Sequence, residues 1–220
     1  MSQPALGGAA VDLSALRERS RRELGACLDR AKGPKALVLD PSLSGPLGLI
    51  AEKQLLKDHG VEKTYHLRPE PIETDQKRVV FLVRDRIPAI KAVARQVRHR
   101  AARGGQKLEY LVVVVPRRTI VCERVLEEEG VYGDVTLDEL DLDLIPCEED
   151  VVSMELPDSF RASLLDGDKS SLFYVARALA RLQGQMGVIP VIKGKGHGAR
   201  AVADMLLRMR KEGLPGGEGG

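Results

Sequence analysis

The sequence predicts an α/β fold in which a parallel sheet carries helices on both faces. Two observations predict it. Apolar segments of strand length alternate with segments whose apolar residues recur at helical spacing. Residues 108–115 form a nearly continuous β-branched run, the pattern of a strand covered on both sides.

Taken in order, a first helix is expected from an N-cap at Asp12 to about Ala31. Leu13, Leu16, Leu24, Cys27, Leu28 and Ala31 fall on one of its faces, and Gly33-Pro34 ends it. Residues 35–39, Lys-Ala-Leu-Val-Leu, read as a short buried strand closed by Asp40-Pro41. Leu47, Ile50, Ala51 and Leu55 recur at helical spacing and predict one helix stopped by Gly60. Residues 61–67 read as a second strand and 78–83 as a third. Pro88 sits just inside the next helix, where its missing N–H costs nothing. The expected apolar stripe of that helix is Ile87, Ile90, Ala94, Val97 and Ala101. After strand 108–115, a helix following Thr119 is expected to bury Val121, Cys122, Val125 and Leu126. Glu127, Glu128 and Glu129 then face water, and Gly130 stops the helix. Residues 12–140 thus read as one α/β domain preceded by a flexible segment, 1–11.

The remainder differs. Residues 141–147 and 151–156 read as two short extended segments. A helix with Leu172, Val175, Ala176, Leu179 and Leu182 on one face follows. Then come the apolar segment 188–192, a glycine-rich turn, and a helix with Val202, Met205, Leu206 and Met209 at i, i+3, i+4 and i+7. The Gly-rich tail, 213–220, is expected to be flexible.

Composition narrows the function. Three Phe, four Tyr and no Trp argue against aromatic stacking sites for single-stranded nucleic acid or sugars. The strongly apolar run 111–115 is far too short to cross a bilayer, and the N-terminus lacks a basic and apolar leader pattern. Cys27, Cys122 and Cys147 show no CxxC spacing and fit a reduced, cytosolic protein. The formal net charge of +2 hides a segregation: residues 84–118 carry ten Lys/Arg against Asp85 and Glu109. Residues 119–168 carry sixteen Asp/Glu against Arg124 and Arg161. The basic stretch could meet phosphates, but no nucleic-acid motif accompanies it, so mutually neutralising solvated faces are the better reading.

The sharpest chemical lead is Gly194-Lys195-Gly196-His197-Gly198-Ala199, a G-x-G-x-x-A pattern after an apolar segment and opening a helix. Lys193, Lys195 and Arg200 add positive charge beside it. A dinucleotide site also needs an acidic residue on a further strand about twenty positions on, and the chain there is glycine-rich. Gly196 also stands where a P-loop needs Ser or Thr after the lysine. A strand-to-helix turn that uses glycine for its backbone angles is the competing reading. Asp166-Gly-Asp168-Lys-Ser170 starts like a calcium loop, but Arg177 occupies the bidentate Glu position, so Asp168 or Ser170 is expected to cap a helix. The carboxylates Asp138, Glu139, Asp141, Asp143, Glu148, Glu149 and Asp150 could hold a hard cation, but read better as a solvated connector. His59, His66, His99 and His197 lack metal-ligand spacing, and no G-x-S-x-G elbow occurs. Cys122, beside Arg117-Arg118, is better read as a buried helix-face thiol than as a reactive one. No catalytic constellation emerges, and no catalytic, cofactor or metal residue is assigned.

Seven stretches carry a resemblance. They are KALVLDPSLSGPLGLIAEKQLLKDHGVEK (35–63), VFLVR (80–84), VPRRTIVCERVLEEEGVYG (115–133), LDLIPCEEDVVSME (142–155), LDGDKSSLFYVARAL (165–179), GVIPVIKGKGHGAR (187–200) and MLLRMRKE (205–212). In this order they resemble the N-terminal part of the Sec/Munc (SM) family of SNARE-binding membrane-fusion regulators, particularly its vacuolar branch.

The resemblance implies an SM-type first α/β domain over 12–140 and an incomplete second α/β domain over 141–212. It implies a non-enzymatic role in vesicle docking and fusion, with no cofactor. Its implied partners are syntaxin-type SNAREs and the HOPS and CORVET tethering complexes, especially vacuolar protein sorting-associated protein 16. The implied location is cytoplasmic, at late endosome, lysosome or vacuole membranes through those partners. The family's third, helical domain carries the main SNARE and tether surfaces and has no counterpart in this sequence, so no partner-binding residue is assigned. An unfinished second domain is further expected to leave Val188, Ile189, Val191 or Met205 poorly covered. The glycine loop lies in a stretch that relatives share without nucleotide chemistry, which favours the structural turn over a nucleotide-binding enzyme.

Overall fold

The computed structural model describes residues 13–104, 107–148 and 150–212. The Asp12 cap, the segments 1–11 and 213–220, and Glu149 lie outside the described residues. The chain divides into two compact units, one of residues 15–145 and the other holding the residues from Pro146 on.

The first unit is a parallel sheet between two helical layers. Helix α1 (Leu13–Asp29) leads into β1 (Lys35–Leu39), a 3-10 turn at Pro41–Leu43, α2 (Ser44–Ile50) and α3 (Lys53–Asp58). Strands β2 (Val61–His66) and β3 (Arg78–Arg84), α4 (Ile87–Ala102), β4 (Glu109–Val115), α5 (Ile120–Glu128) and β5 (Val135–Glu139) complete it. The strand order is β2-β1-β3-β4-β5, with every neighbouring pair parallel. Side chains alternate between two cores, as the two-residue strand period requires. Leu37, Leu39, Val80, Leu82, Leu111, Val113 and Val115 face one core, which α1, α2, Leu140, Leu142 and Ile145 complete. Val38, Val79, Phe81, Val83, Val112 and Val114 face the other, with Ile90, Val93, Val97, Cys122, Val125 and Leu126 from α4 and α5. The expected α/β sheet with helices on both faces is therefore present.

Several details differ from the sequence reading. The expected single helix over Leu47 to Leu55 is two, because Ala51 turns extended at φ −121°, ψ 116°. Two glycines and a proline in the seven residues of α2 leave it too weak a helix former to carry through. A fifth strand, β5, runs through the acidic connector and pairs with β4, placing Asp138 and Glu139 at the sheet edge. Ile87, Ala101 and Val121 are exposed, not buried: they lie in the terminal turns of α4 and α5, and in α5 the buried face is Cys122, Val125 and Leu126. Val93 and Gln96 fill the α4 face instead. Thr119 caps α5 by accepting from the Cys122 N–H, as its position before the helix suggests.

In the second unit, β6 (Ile145–Pro146) and β7 (Val152–Ser153) form a short two-stranded ribbon where the chain enters it. Helices α6 (Ser159–Leu164), α7 (Ser170–Met186) and α8 (His197–Glu212) follow, with α7 packed on both α6 and α8. On the face expected for α7, Ala176 is buried while Leu172, Val175, Leu179 and Leu182 are half-buried. Residues 188–192 run as an irregular segment with a single bridge at Val188. On α8, Leu206 and Met209 are buried and Val202 and Met205 half-buried.

Candidate functional site

The polar residues that sequence reasoning passed over organise the first unit. Lys35 is 1% exposed, and its Nζ donates to the carbonyls of Leu28 (2.9 Å) and His59 (2.6 Å). Those carbonyls close α1 and α3, so one cation answers two helix C-termini. Burial pushes the Lys35 pKa below its ordinary value. Gly60 beside it has φ +77°, and a Cβ there would lie 2.8 Å from the Gly33 carbonyl oxygen, so glycine is required. The His59 ring accompanies Asp29 at 2.9 Å and lies over Gly25. Asp40, at the end of β1, accepts from the Ser42 N–H and hydroxyl and from the Arg84 N–H at the end of β3. Its carboxylate bridges the ends of β1 and β3 at the strand-order switch, the position where open α/β sheets often bind ligands.

The sequence candidates disperse through the structure. Among the described residues no three His, Cys, Asp or Glu side chains group as a metal site. Asp138 pairs with Arg30 and accepts the Cys27 thiol at 3.8 Å, while Glu139 accepts from the Arg118 N–H. Burial first, then Asp138, pushes the Cys27 thiol up to about 12. Cys122 is buried in the first turn of α5, 3.2 Å from the Thr119 hydroxyl, which matches the buried-thiol reading. His66 lies 3.4 Å from the Ser44 hydroxyl, His99 is half-buried in the last turn of α4, and His197 is exposed. Asp168 accepts from the Ser170 N–H and hydroxyl ahead of α7, and these bonds hold its carboxyl below the ordinary range. This is a local turn leading into α7, whose N-cap position is Lys169, rather than the expected side-chain cap or part of a calcium loop.

Part of the basic stretch is paired within the fold. Arg98 pairs with Glu129 at 2.6 Å, and Arg118 with Glu123 at 2.5 Å. Arg100 and Arg103 both pair with Glu73, in the connection before β3. Glu73 lies outside the acidic run, so the neutralisation draws on more of the chain than the two segregated stretches.

The glycine loop borders a groove of about 550 Å³. Its walls are the 187–196 segment and α8, with Ile189, Ile192, Ala203 and Leu207 among the apolar lining and Arg200 and Arg210 as its cations. Arg210 Nη2 donates to Gln183 Oε1 and, at 3.1 Å, to the Ile189 carbonyl. Gln183 Oε1 also accepts from the Ile189 N–H at 3.1 Å, so α7, the segment and α8 meet at one buried amide. The sequence could not show this, since Arg210 lies 27 residues from Gln183 and only Gln183 breaks an apolar face. Gly196 adopts φ +92°, and a Cβ at Gly194 would lie 3.0 Å from Ala199 Cβ. The loop follows an irregular segment rather than a parallel strand, so the dinucleotide arrangement is not reproduced and the structural turn is favoured. No helix of the described residues is long and apolar enough to cross a membrane.

Comparison with known proteins places these features in a family context. The Sec1 family model matches residues 35–214. Vacuolar protein sorting-associated protein 33A of Rattus norvegicus is 43% identical over 204 residues, covering 92% of this chain and 34% of its own length. The vacuolar protein-sorting-associated protein 33 homolog of Arabidopsis thaliana is 41% identical over 209 residues, 95% of this chain and 35% of its own. The chain therefore spans about a third of the length of the curated relatives it matches. Among solved structures, the Unc18-syntaxin 1 complex from Monosiga brevicollis superposes with a TM-score of 0.68 at 17% identity, over 90% of this chain and 37% of that one. The SM protein Vps45 in complex with the Qa SNARE Tlg2 gives 0.63 at 17%, over 90% and 36%. At these identities the structures show a shared fold.

Proposed function

The chain belongs to the Sec1 family, and from that premise we propose that it is a non-enzymatic SM-type regulator of vesicle docking and SNARE-mediated membrane fusion. The reading extends to endosome-to-lysosome or vacuole transport within HOPS and CORVET tethering complexes. It assigns residues 12–140 to the first SM domain and 141–212 to the opening part of the second. The observation that carries it is identity above 40% to two vacuolar protein sorting relatives across more than nine-tenths of this chain. The relatives bear sorting names rather than enzymatic ones, and two fold neighbours were solved with a syntaxin or Qa SNARE bound. Proposed partners are a syntaxin-type SNARE and tether subunits, especially vacuolar protein sorting-associated protein 16. Proposed localisation is cytoplasmic, held at late endosome and lysosome or vacuole membranes by those partners.

The experiment is a binding titration of the purified chain against the soluble part of a syntaxin-type SNARE and against the tether subunit, with NAD and ATP in parallel. Saturable protein binding with flat nucleotide titrations is the expected result. Saturable nucleotide binding without SNARE or tether binding would overturn the proposal in favour of an α/β enzyme using the loop between Gly194 and Ala199.

A further inference from the structure

We infer that residues 68–76, in the connection between β2 and β3, form a strap that opens and closes independently of the sheet, with Gln96 as its latch. Its place in the fold supplies the first argument. A crossover between parallel strands usually carries a helix, which shields the sheet face it crosses. The crossovers from β3 to β4 and from β4 to β5 do so with α4 and α5, whereas residues 67–77 form neither helix nor strand. Leu67 is buried in the core that also holds Val38, Val79 and Phe81, and Ile72 packs against that core half-buried. Most of the strap around Ile72 is exposed.

The contacts that hold the strap supply the second argument, because they are mostly polar. Gln96 is buried on α4, and its Nε2 donates to the carbonyls of Arg68 and Glu70, both at 2.7 Å. Its Oε1 accepts from the Ile72 N–H at 2.9 Å, so one amide side chain answers three backbone groups of the strap. Pro69 and Pro71 have no N–H with which to join a ladder. Glu73 pairs with Arg100 and Arg103, and Asp75 with Lys63 at 3.2 Å. Exposed polar contacts of this kind exchange for water at little net cost, whereas opening the sheet breaks its ladders and bares both cores. The two ends define the moving part. The Leu67 N–H donates to the Leu39 carbonyl at 2.8 Å, and the Lys77 carbonyl accepts from the Glu109 N–H at 2.9 Å. Both ends are thus fixed to the sheet, and the motion is confined between them. Opening lifts Ile72 from the core while the five strands stay paired.

The test is amide exchange of the 220-residue chain across a series of low urea concentrations, with magnetisation transfer from water for the fastest amides. Ile72 and Gln76 report the strap, and Phe81 and Val113 report the sheet. The Gln76 N–H bonds to Thr74 Oγ1 within the strap and makes no contact with Gln96, so it reads whether the strap moves as one piece. Ile72 and Gln76 are expected to show similar protection, at least about 100-fold below that of Phe81 and Val113. Their protection should also fall far less steeply with urea, because the opening exposes little surface. In Gln96→Leu both should exchange about tenfold faster, Gln76 included. Sheet-like protection and urea slope at Ile72 in the parent would overturn the proposal, since the strap would then open only with the sheet. A Gln76 rate unchanged in Gln96→Leu would overturn it as well, since Gln96 would then hold a single amide rather than latch the strap.

Discussion

Replacing Lys35 with Met tests whether one buried cation holds two helix ends together. The substitution keeps an unbranched side chain of similar length and removes only the ammonium. The Leu28 carbonyl, in a buried hydrogen bond, and the His59 carbonyl, in a partly buried one, both lose their donor. Each unsatisfied carbonyl costs about 1–3 kcal/mol, with the partly buried one at the low end because water can reach it. Against that loss stands the relief of the buried charge, whose cost is evident in the lowered Lys35 pKa. A net destabilisation of about 2–3 kcal/mol follows.

Amide hydrogen exchange in β1 reads this directly, because those amides open only with the sheet. The Leu37 to Leu39 amides should exchange about 30–150-fold faster in Lys35→Met, the factor that 2–3 kcal/mol represents. The pH response carries a sign. A lysine whose folded pKa lies below its unfolded value binds fewer protons when folded, so its contribution to stability rises with pH between the two. The parent's lead over Lys35→Met should therefore widen as pH rises towards 10.5. Parent-like exchange in the variant at neutral pH would show that the two carbonyls do not depend on Lys35, and the reasoning would fail.

Three further outcomes can be measured. Gly25→Ala, which should stabilise an ordinary helix by about 1 kcal/mol, should instead destabilise this chain. The new Cβ falls 2.5 Å from His59 Nε2, and urea denaturation should show the loss reversed in the Gly25→Ala/His59→Ala double variant. Gln96→Leu removes the donors to the Arg68 and Glu70 carbonyls and the acceptor of the Ile72 N–H, so the Ile72 amide should exchange with solvent much faster than in the parent. Cys27 has a folded pKa raised from 9.0 to about 12, so its contribution is present below 9 and lost as pH rises towards 12. The alkaline loss of stability should be shallower in Cys27→Ala, and alkylation of the native parent at pH 8 should modify the half-exposed Cys147 before Cys27.

Local signals carried most of the first unit. The unbroken apolar runs made β1, β3 and β4 legible, and Thr119 announced α5 because an N-cap acts within its own turn. The fifth strand was hidden by composition: Asp138 and Glu139 made it look like a solvated link, although Val135 and Leu137 alternate as a strand should. Lys35 and Gln96 were illegible for another reason. Nothing local distinguishes a buried Lys or Gln from an exposed one, since each is justified only by carbonyls delivered from elsewhere in the fold. The groove has the same character, assembled from an irregular segment and one face of α8 and tied to the end of α7 through Gln183.

The charge segregation illustrates how sequence proximity misleads about electrostatics. A block of like charges acts on a distant partner only if its field survives its own neighbours, and exposed charges are screened within about 8–10 Å. Along α4 and before α5, the arginines at 98, 100, 103 and 118 each have a carboxylate within ion-pair distance. The acidic run meets Arg30 through Asp138, a partner more than a hundred residues earlier. Part of each opposed block is thus engaged in short pairs around the sheet.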